Sequence, residues 1–328
     1  MNKTAQFLKE WMLPLAIVTG ISLCVLYHLI PALRPVGPFC HTLASEGQRV
    51  MIALLLFFQF VKISPHDLRL RRWHLGVLLF QIAAFLCLAA ATVAAPEGAG
   101  RILLECAMLC LICPTASAAG VITERLGGNL ADTVTYLVLV NVAATFLIPA
   151  VIPLVSPSDS LGFWQYVFRI AGKVFPILIL PCLVAWLIRY TAPSLQRKLM
   201  RWSGNSFYIW GFCLTLGMVL ATHSLFRSHL GIGVLAGIVV LSILTCALQF
   251  YAGRRIGRGR SDSLTAGQAL GQKNTGFLIW LGYTYLTPVT SVAGGLYAIW
   301  QNLFNSWELY RHERRQIRAS RNTSTIDG

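Results

Sequence analysis

Residues 266–276, Ala-Gly-Gln-Ala-Leu-Gly-Gln-Lys-Asn-Thr-Gly, gather the chain's densest set of groups able to do chemistry. Gln268, Gln272, Lys273, Asn274 and Thr275 stand close together inside an otherwise apolar stretch. In hydrocarbon, charge and irregular backbone persist only where they are buried in protein or line a wet cavity. The run therefore reads as a broken helix at a working site, with amides and a hydroxyl for hydrogen bonding and one ammonium for charge. A second interruption, Cys-Pro-Thr-Ala-Ser-Ala-Ala-Gly at 113–120, lies in the first half of the chain. No nucleophile–base pair and no metal-ligand spacing collects on one membrane face, so the pattern points to binding rather than to an enzyme. The nine cysteines fall mostly within apolar segments and show no paired metal spacing; they read as small buried hydrophobes, and no cofactor or metal is expected.

The elements that position these groups follow from composition. The chain has 328 residues, of which 56% are hydrophobic and 12% charged. Its mean hydropathy is +0.64. These values exclude an ordinary soluble domain and indicate a polytopic membrane protein. A net charge of +15 would suggest nucleic acid in a soluble protein, but here the basic residues sit in short loops and the tail. The expected partners are the lipid bilayer and a small solute, with no nucleic acid. Each crossing needs roughly twenty apolar residues, and ten such segments can be read: 11–31, 46–63, 74–95, 102–124, 131–154, 164–189, 204–223, 231–252, 263–285 and 290–309. The first reads as a bundle helix rather than a cleaved signal.

Arginines and lysines cluster after the even-numbered segments, among them Arg69, Arg71, Arg72, Arg125, Arg197, Lys198, Arg201, Arg254, Arg255, Arg258 and Arg260. Arg311, Arg314, Arg315, Arg318 and Arg321 follow the tenth segment, whereas the opposite side carries only Arg34, Arg49, Arg101 and Arg227. This asymmetry predicts a multi-pass protein of the plasma (bacterial inner) membrane with both termini cytoplasmic. A polar, basic tail over 310–328 is expected to end in disorder. Halving the chain near residue 158 places the two interruptions in the fourth segment of each half. Paired interruptions of this kind point to inverted repeats with a site at mid-membrane. The expected fold is thus an all-α membrane protein of ten transmembrane helices, two inverted five-helix repeats with broken crossing helices four and nine.

Several fragments carry a resemblance in their order and spacing. They are Phe60-Val61-Lys62-Ile63-Ser64-Pro65-His66-Asp67-Leu68, Gln81, Cys113-Pro114 through Val121, Thr123, Gly128-Asn129, Lys273-Asn274-Thr275-Gly276 and Trp300-Gln301-Asn302-Leu303. Together they resemble the bile acid:sodium symporter family, within a wider group of organic-anion transporters, over most of the chain. The resemblance implies a single transmembrane transporter domain with a core of helices 3–5 and 8–10 and a panel of helices 1, 2, 6 and 7. It also implies alternating access, with the substrate between panel and core.

The resemblance further assigns residues. Ser117 falls where the family has a hydroxyl at the helix-four break, and Asn274 falls on its helix-nine asparagine, followed by Thr275 and Gly276. Half-helix N-termini beside these groups would favour an anion. Ser117 and Thr275 could instead bond back to their own helix turns. Among the cation-site or coupling residues, Gln81 and Thr133 are kept, and Gln272 stands beside Lys273. The family's helix-nine glutamate, however, falls at Ala269, its helix-four serine–asparagine pair at Ala119 and Gly120, and a helix-five hydroxyl at Leu137. Lys273 replaces a glutamine. Sodium prefers hard oxygen ligands, as calcium and magnesium do, so an acid lost and a cation gained both disfavour it.

Lys273 admits three readings. Its ammonium could stand in for the missing cation, bonding Gln81, Gln272 and free carbonyls. It could carry a proton, since desolvation disfavours the charged form. It could snorkel to water from the rim. Among other polar groups, Asp132 opens the fifth segment, where an acid complements the helix dipole, and could pair with Lys273. Arg169 and Lys173 could anchor at the interface or line the cavity. His28, His74 and His223 sit near segment ends and read as interfacial. The expected function is secondary active or facilitative transport of a small organic anion, with sodium symport as the family's alternative coupling. A non-transporting ligand sensor or scaffold with a transporter fold is the alternative.

Overall fold

Apolar stretches bounded by glycine, proline and arginine form helices that pack side by side. The computed structural model of the chain describes residues 3–228 and 230–324. It contains α1 (Lys3–Leu29), α2 (Gly37–Val61), α3 (Arg72–Ala94), α4 (Ala99–Ile112), α5 (Ala119–Arg125), α6 (Leu130–Val155) and α7 (Phe163–Leu178). Next come α8 (Leu180–Thr191), α9 (Pro193–Trp202), α10 (Ser206–Arg227), α11 (Ile232–Ile256), α12 (Arg260–Gly271), α13 (Thr275–Tyr285) and α14 (Ser291–Ser324). No strand occurs among the described residues; one isolated bridge joins Thr115 to Lys273. Arg34, Arg260, Arg315, Arg318 and Arg321, counted in the loop and tail charge, have side chains outside the described residues, as do residues 325–328.

Each of the ten expected segments is helical, but they differ in kind. Among the described residues, six helices are long and apolar enough to cross a membrane, and a seventh is added if α7 and α8, bent by 41° at their junction, form one span. Prolines explain the bend: Pro176 lies inside α7 and Pro181 in the first turn of α8, and each removes a backbone donor. The other three segments fail on length or polarity. Segment 102–124 is α4 plus α5, and segment 263–285 is α12 plus α13. Segment 290–309 is the start of α14, where Gln301, Asn302, Asn305 and Glu308 dilute the apolar residues. Length and composition thus give six or seven crossings where ten were expected. In the tail, α14 continues as helix to Ser324, and the end expected to be disordered, 325–328, lies outside the described residues.

Large apolar side chains cover the outer surface, with Ile232 87% and Phe146 72% exposed. An apolar exterior of this kind, on long apolar helices, is compatible with a membrane-embedded protein. Inside, α1 packs on α10, α10 on α2, and α2 on α7 and α8. A second group joins α3, α4, α5 and α6 to α11, α12, α13 and α14. Small residues permit the closest approaches. A Cβ on Gly253 of α11 would lie 2.4 Å from the Ala266 carbonyl oxygen of α12. Close backbone contact through small residues is how helices associate without a hydrophobic driving force.

Candidate functional site

The two breaks cross. Pro114 disfavours the helical region for Cys113, so α4 stops at Ile112. On the other side α12 stops at Gly271, Gln272 is extended, and Asn274 caps α13 by accepting from the Phe277 N–H at 3.2 Å. Between them the extended backbones pair antiparallel. Asn274 N–H donates to the Pro114 carbonyl (2.8 Å), and Ala116 N–H donates to the Gln272 carbonyl (3.0 Å).

Breaking a helix leaves orphan carbonyls in its last turn, and burial makes each costly. Side chains meet them here. Gln81 donates from one amide nitrogen to Leu111 (2.7 Å) and Cys113 (3.2 Å). Gln249 donates to Cys110 (3.3 Å), Thr115 to Ala269 (2.7 Å) and Tyr297 to Gly271 (2.8 Å). Gln301 acts as a backbone mimic: its Oε1 accepts from the Lys273 N–H (2.8 Å) and its Nε2 donates to the Lys273 carbonyl (3.2 Å).

These commitments revise the cation-site expectation. Gln81 is spent on the end of α4, and its Oε1 accepts from the Tyr136 hydroxyl at 2.6 Å. Thr133 bonds back to the Asn129 carbonyl one turn earlier (2.9 Å). Gln272 bonds Gln268, which in turn bonds Glu308, the partner of Arg254. No hydrogen bond joins one of Gln81, Thr133, Gln272 and Lys273 to another through side chains among the described residues. Ala269 packs in a buried apolar cluster with Trp73, Val77, Tyr136 and Val140.

Lys273 is fully buried, which removes the snorkelling reading. Its Nζ has no hydrogen-bond partner among the described residues, so the bonds to Gln81, Gln272 and free carbonyls are not made. Its electrostatic neighbours are the thiols of Cys110, Cys113 and Cys246. Asp132 does not pair with it. That acid lies in the first turn of α6 and faces Arg71 at 2.8 Å, while Arg71 reaches Asp262 of α12 at 3.6 Å.

The four residues assigned to substrate do come together. Ser117, Asn274, Thr275 and Gly276 line one cavity of about 60 Å³. Lys273, Gln301, Asn302 and Asn305 also line it, as do Leu55 of α2 and Trp210 of α10. The volume holds a few waters and is well below that of a site for a drug-sized ligand. With Oδ1 of Asn274 used as the cap of α13, its amide N–H groups remain as donors. The dipole argument holds for α13, whose first N–H groups open beside Asn274; α5 spans only seven residues. Sequence reasoning gave no role to Asn305 and none beyond resemblance to Gln301 and Asn302. Their signal in the sequence is a row of polar residues at helical spacing, 301, 305 and 308, on an otherwise apolar segment.

No protein-family model and no curated protein matches the chain.

Proposed function

We propose that the protein is a secondary transporter of a small organic anion, working by alternating access. The reading includes ten crossings in two inverted five-helix repeats, with α4–α5 and α12–α13 as broken crossing helices and both termini cytoplasmic. α1, α2, α7–α8 and α10 form the panel, and the remaining transmembrane helices form the core. One observation carries the proposal. Two breaks from opposite halves of the chain pair their backbones next to a cavity that collects Ser117, Asn274, Thr275 and Gly276 and is also lined by residues of α2, α10 and α14. Irregular backbone inside an apolar bundle is what a mid-membrane solute site requires. The resemblance to the bile acid:sodium symporter family agrees with this arrangement.

The transported class is anionic because the cavity offers donors: the Asn274 amide, the Ser117 and Thr275 hydroxyls and the start of α13, beside the lysine. Coupling is to a proton or to no ion. The apolar surroundings of Ala269 and the commitment of Gln81 to carbonyls leave sodium without a ligand set. Uptake of labelled carboxylates and sulfonates into proteoliposomes, under imposed sodium and proton gradients, tests both parts. Uptake that persists without sodium is expected; strict sodium dependence would overturn the coupling, and no saturable uptake or counterflow of any anion would overturn transport. The same loss of cation ligands favours a second reading, a ligand sensor with a transporter fold. It would bind anions saturably and give no counterflow.

A further inference from the structure

Away from the crossing, α1, α2 and α10 enclose a second cavity of about 580 Å³. Cys24, Tyr27, His41, His223 and Arg227 lie on its wall, and His28 stands next to Cys24 and His223. We propose that Cys24, His28 and His223 bind one transition-metal ion of the zinc class, with a fourth position open to this cavity.

Cys24 and His28 are four residues apart on α1 and so share a face. The Cys24 sulfur is 3.7 Å from His28 Nδ1. A tetrahedral site with Zn–S of about 2.3 Å and Zn–N of about 2.1 Å has an S···N edge of about 3.6 Å. His223 comes from α10, which is pressed on α1 at Gly20: a Cβ there would lie 2.7 Å from the Thr215 carbonyl oxygen. One ligand atom from each of the three residues lies within 4.8 Å of the others. Closing the set onto a metal therefore takes a shift of about 1 Å.

The rings are already held. His28 stacks on Phe226 at 4.6 Å, and Tyr27 meets His28 edge-on at 5.3 Å. His28 Nδ1 also lies 2.9 Å from the Cys24 carbonyl, a bond that metal binding at Nδ1 displaces. His41 is engaged elsewhere, with Nε2 2.6 Å from the Tyr283 hydroxyl, and serves as an outer group. Arg227 opposes a cation, and the Cys24 thiolate formed on binding, with its proton released to solvent, offsets that charge. One thiolate with two imidazoles selects zinc or copper over sodium, magnesium or calcium. Cysteine spacing does not reveal this group, because the third proposed ligand comes from a helix about two hundred positions away along the chain.

The test is titration of tag-free, reduced, full-length protein in detergent with Co²⁺, followed by Zn²⁺. One equivalent of Co²⁺ should bind with a sulfur-to-cobalt charge-transfer band that Zn²⁺ abolishes. Cys24→Ser, a one-atom change, should lose the band, and His28→Ala and His223→Ala should each weaken binding more than about tenfold, at least the cost of losing an outer-shell partner. Cys40→Ser, at the exposed cysteine on the same cavity, should leave the band intact. Absence of the band from the wild-type protein, or its survival in Cys24→Ser, overturns the proposal. Size-exclusion profiles confirm that each variant is folded, and the wild-type result stands without any variant.

Discussion

Lys273 concentrates the electrostatic problem of the molecule. A buried lysine amine with no hydrogen-bond partner among the described residues, facing three thiols, is a costly arrangement for a helix bundle. Replacing it with a flexible apolar chain of similar length should therefore stabilise the resting protein. Lys273→Met is expected to raise unfolding stability in detergent by about 1–4 kcal/mol while lowering anion uptake at least about tenfold. A loss of stability would mean the amine is paired after all. Asn274 separates two roles by one substitution. Asp is as good an N-cap as Asn, so Asn274→Asp should leave the melting temperature of the protein nearly unchanged. It also places a negative charge where the anion would sit, so binding measured by isothermal titration should vanish. That the run around Asn274 and Thr275 borders a cavity was legible because an apolar bundle tolerates clustered polar residues only where they line a cavity or meet broken backbone, whereas Ser117 and Gly276 were singled out only through the resemblance. The duty of Gln81 was not legible: orphan carbonyls at Leu111 and Cys113 exist only once the chain is known to break there and to turn toward α3.

At the level of elements, helix position followed from hydropathy and helix integrity did not. Segments 74–95 and 131–154 match α3 and α6 within a few residues, because long uninterrupted apolar runs leave little choice. The second segment starts earlier than expected, at Gly37, since Pro38 suits a first helical turn despite the polar residues that follow. α9 was missed: it is polar, buries only Gln196 and lies between two apolar segments, so its sequence looks like a basic loop. The α11–α12 contact is the element most sensitive to volume. At Gly253 a Cβ would meet the backbone of Ala266 and Gly267, neither of which can swing aside. Gly253→Ala should cost about 1–3 kcal/mol in thermal unfolding. It should also reduce uptake, because α12 carries the second break at its end. Unchanged unfolding would indicate that α12 can slide along α11.

For the whole molecule the open quantity is the number of crossings. Length and composition support six or seven, and the functional reading requires ten. Parity separates seven from ten: an even number returns the C-terminus to the side of the N-terminus. A fluorescent protein fused after Gly328 should be bright in bacterial cells, and alkaline phosphatase fused at the same point should be inactive. The opposite pattern would place the C-terminus outside and break the inverted-repeat scheme. Loop charge carries the expectation of sidedness, whereas a crossing made of two short helices, as proposed for α4–α5 and α12–α13, is hidden from any test that scores one continuous run at a time.

The pairing of Thr115 with Lys273 also bears on how the protein is made. Nearly half the chain separates the partners, so a ribosome must synthesise most of the protein before the first break can satisfy its backbone. Until then the segment around Pro114 carries unmet carbonyls in an apolar setting, a state that insertion factors must shelter and membrane proteases can recognise. Chains truncated before residue 266 should accordingly be short-lived in cells, even though every helix of their first half is present.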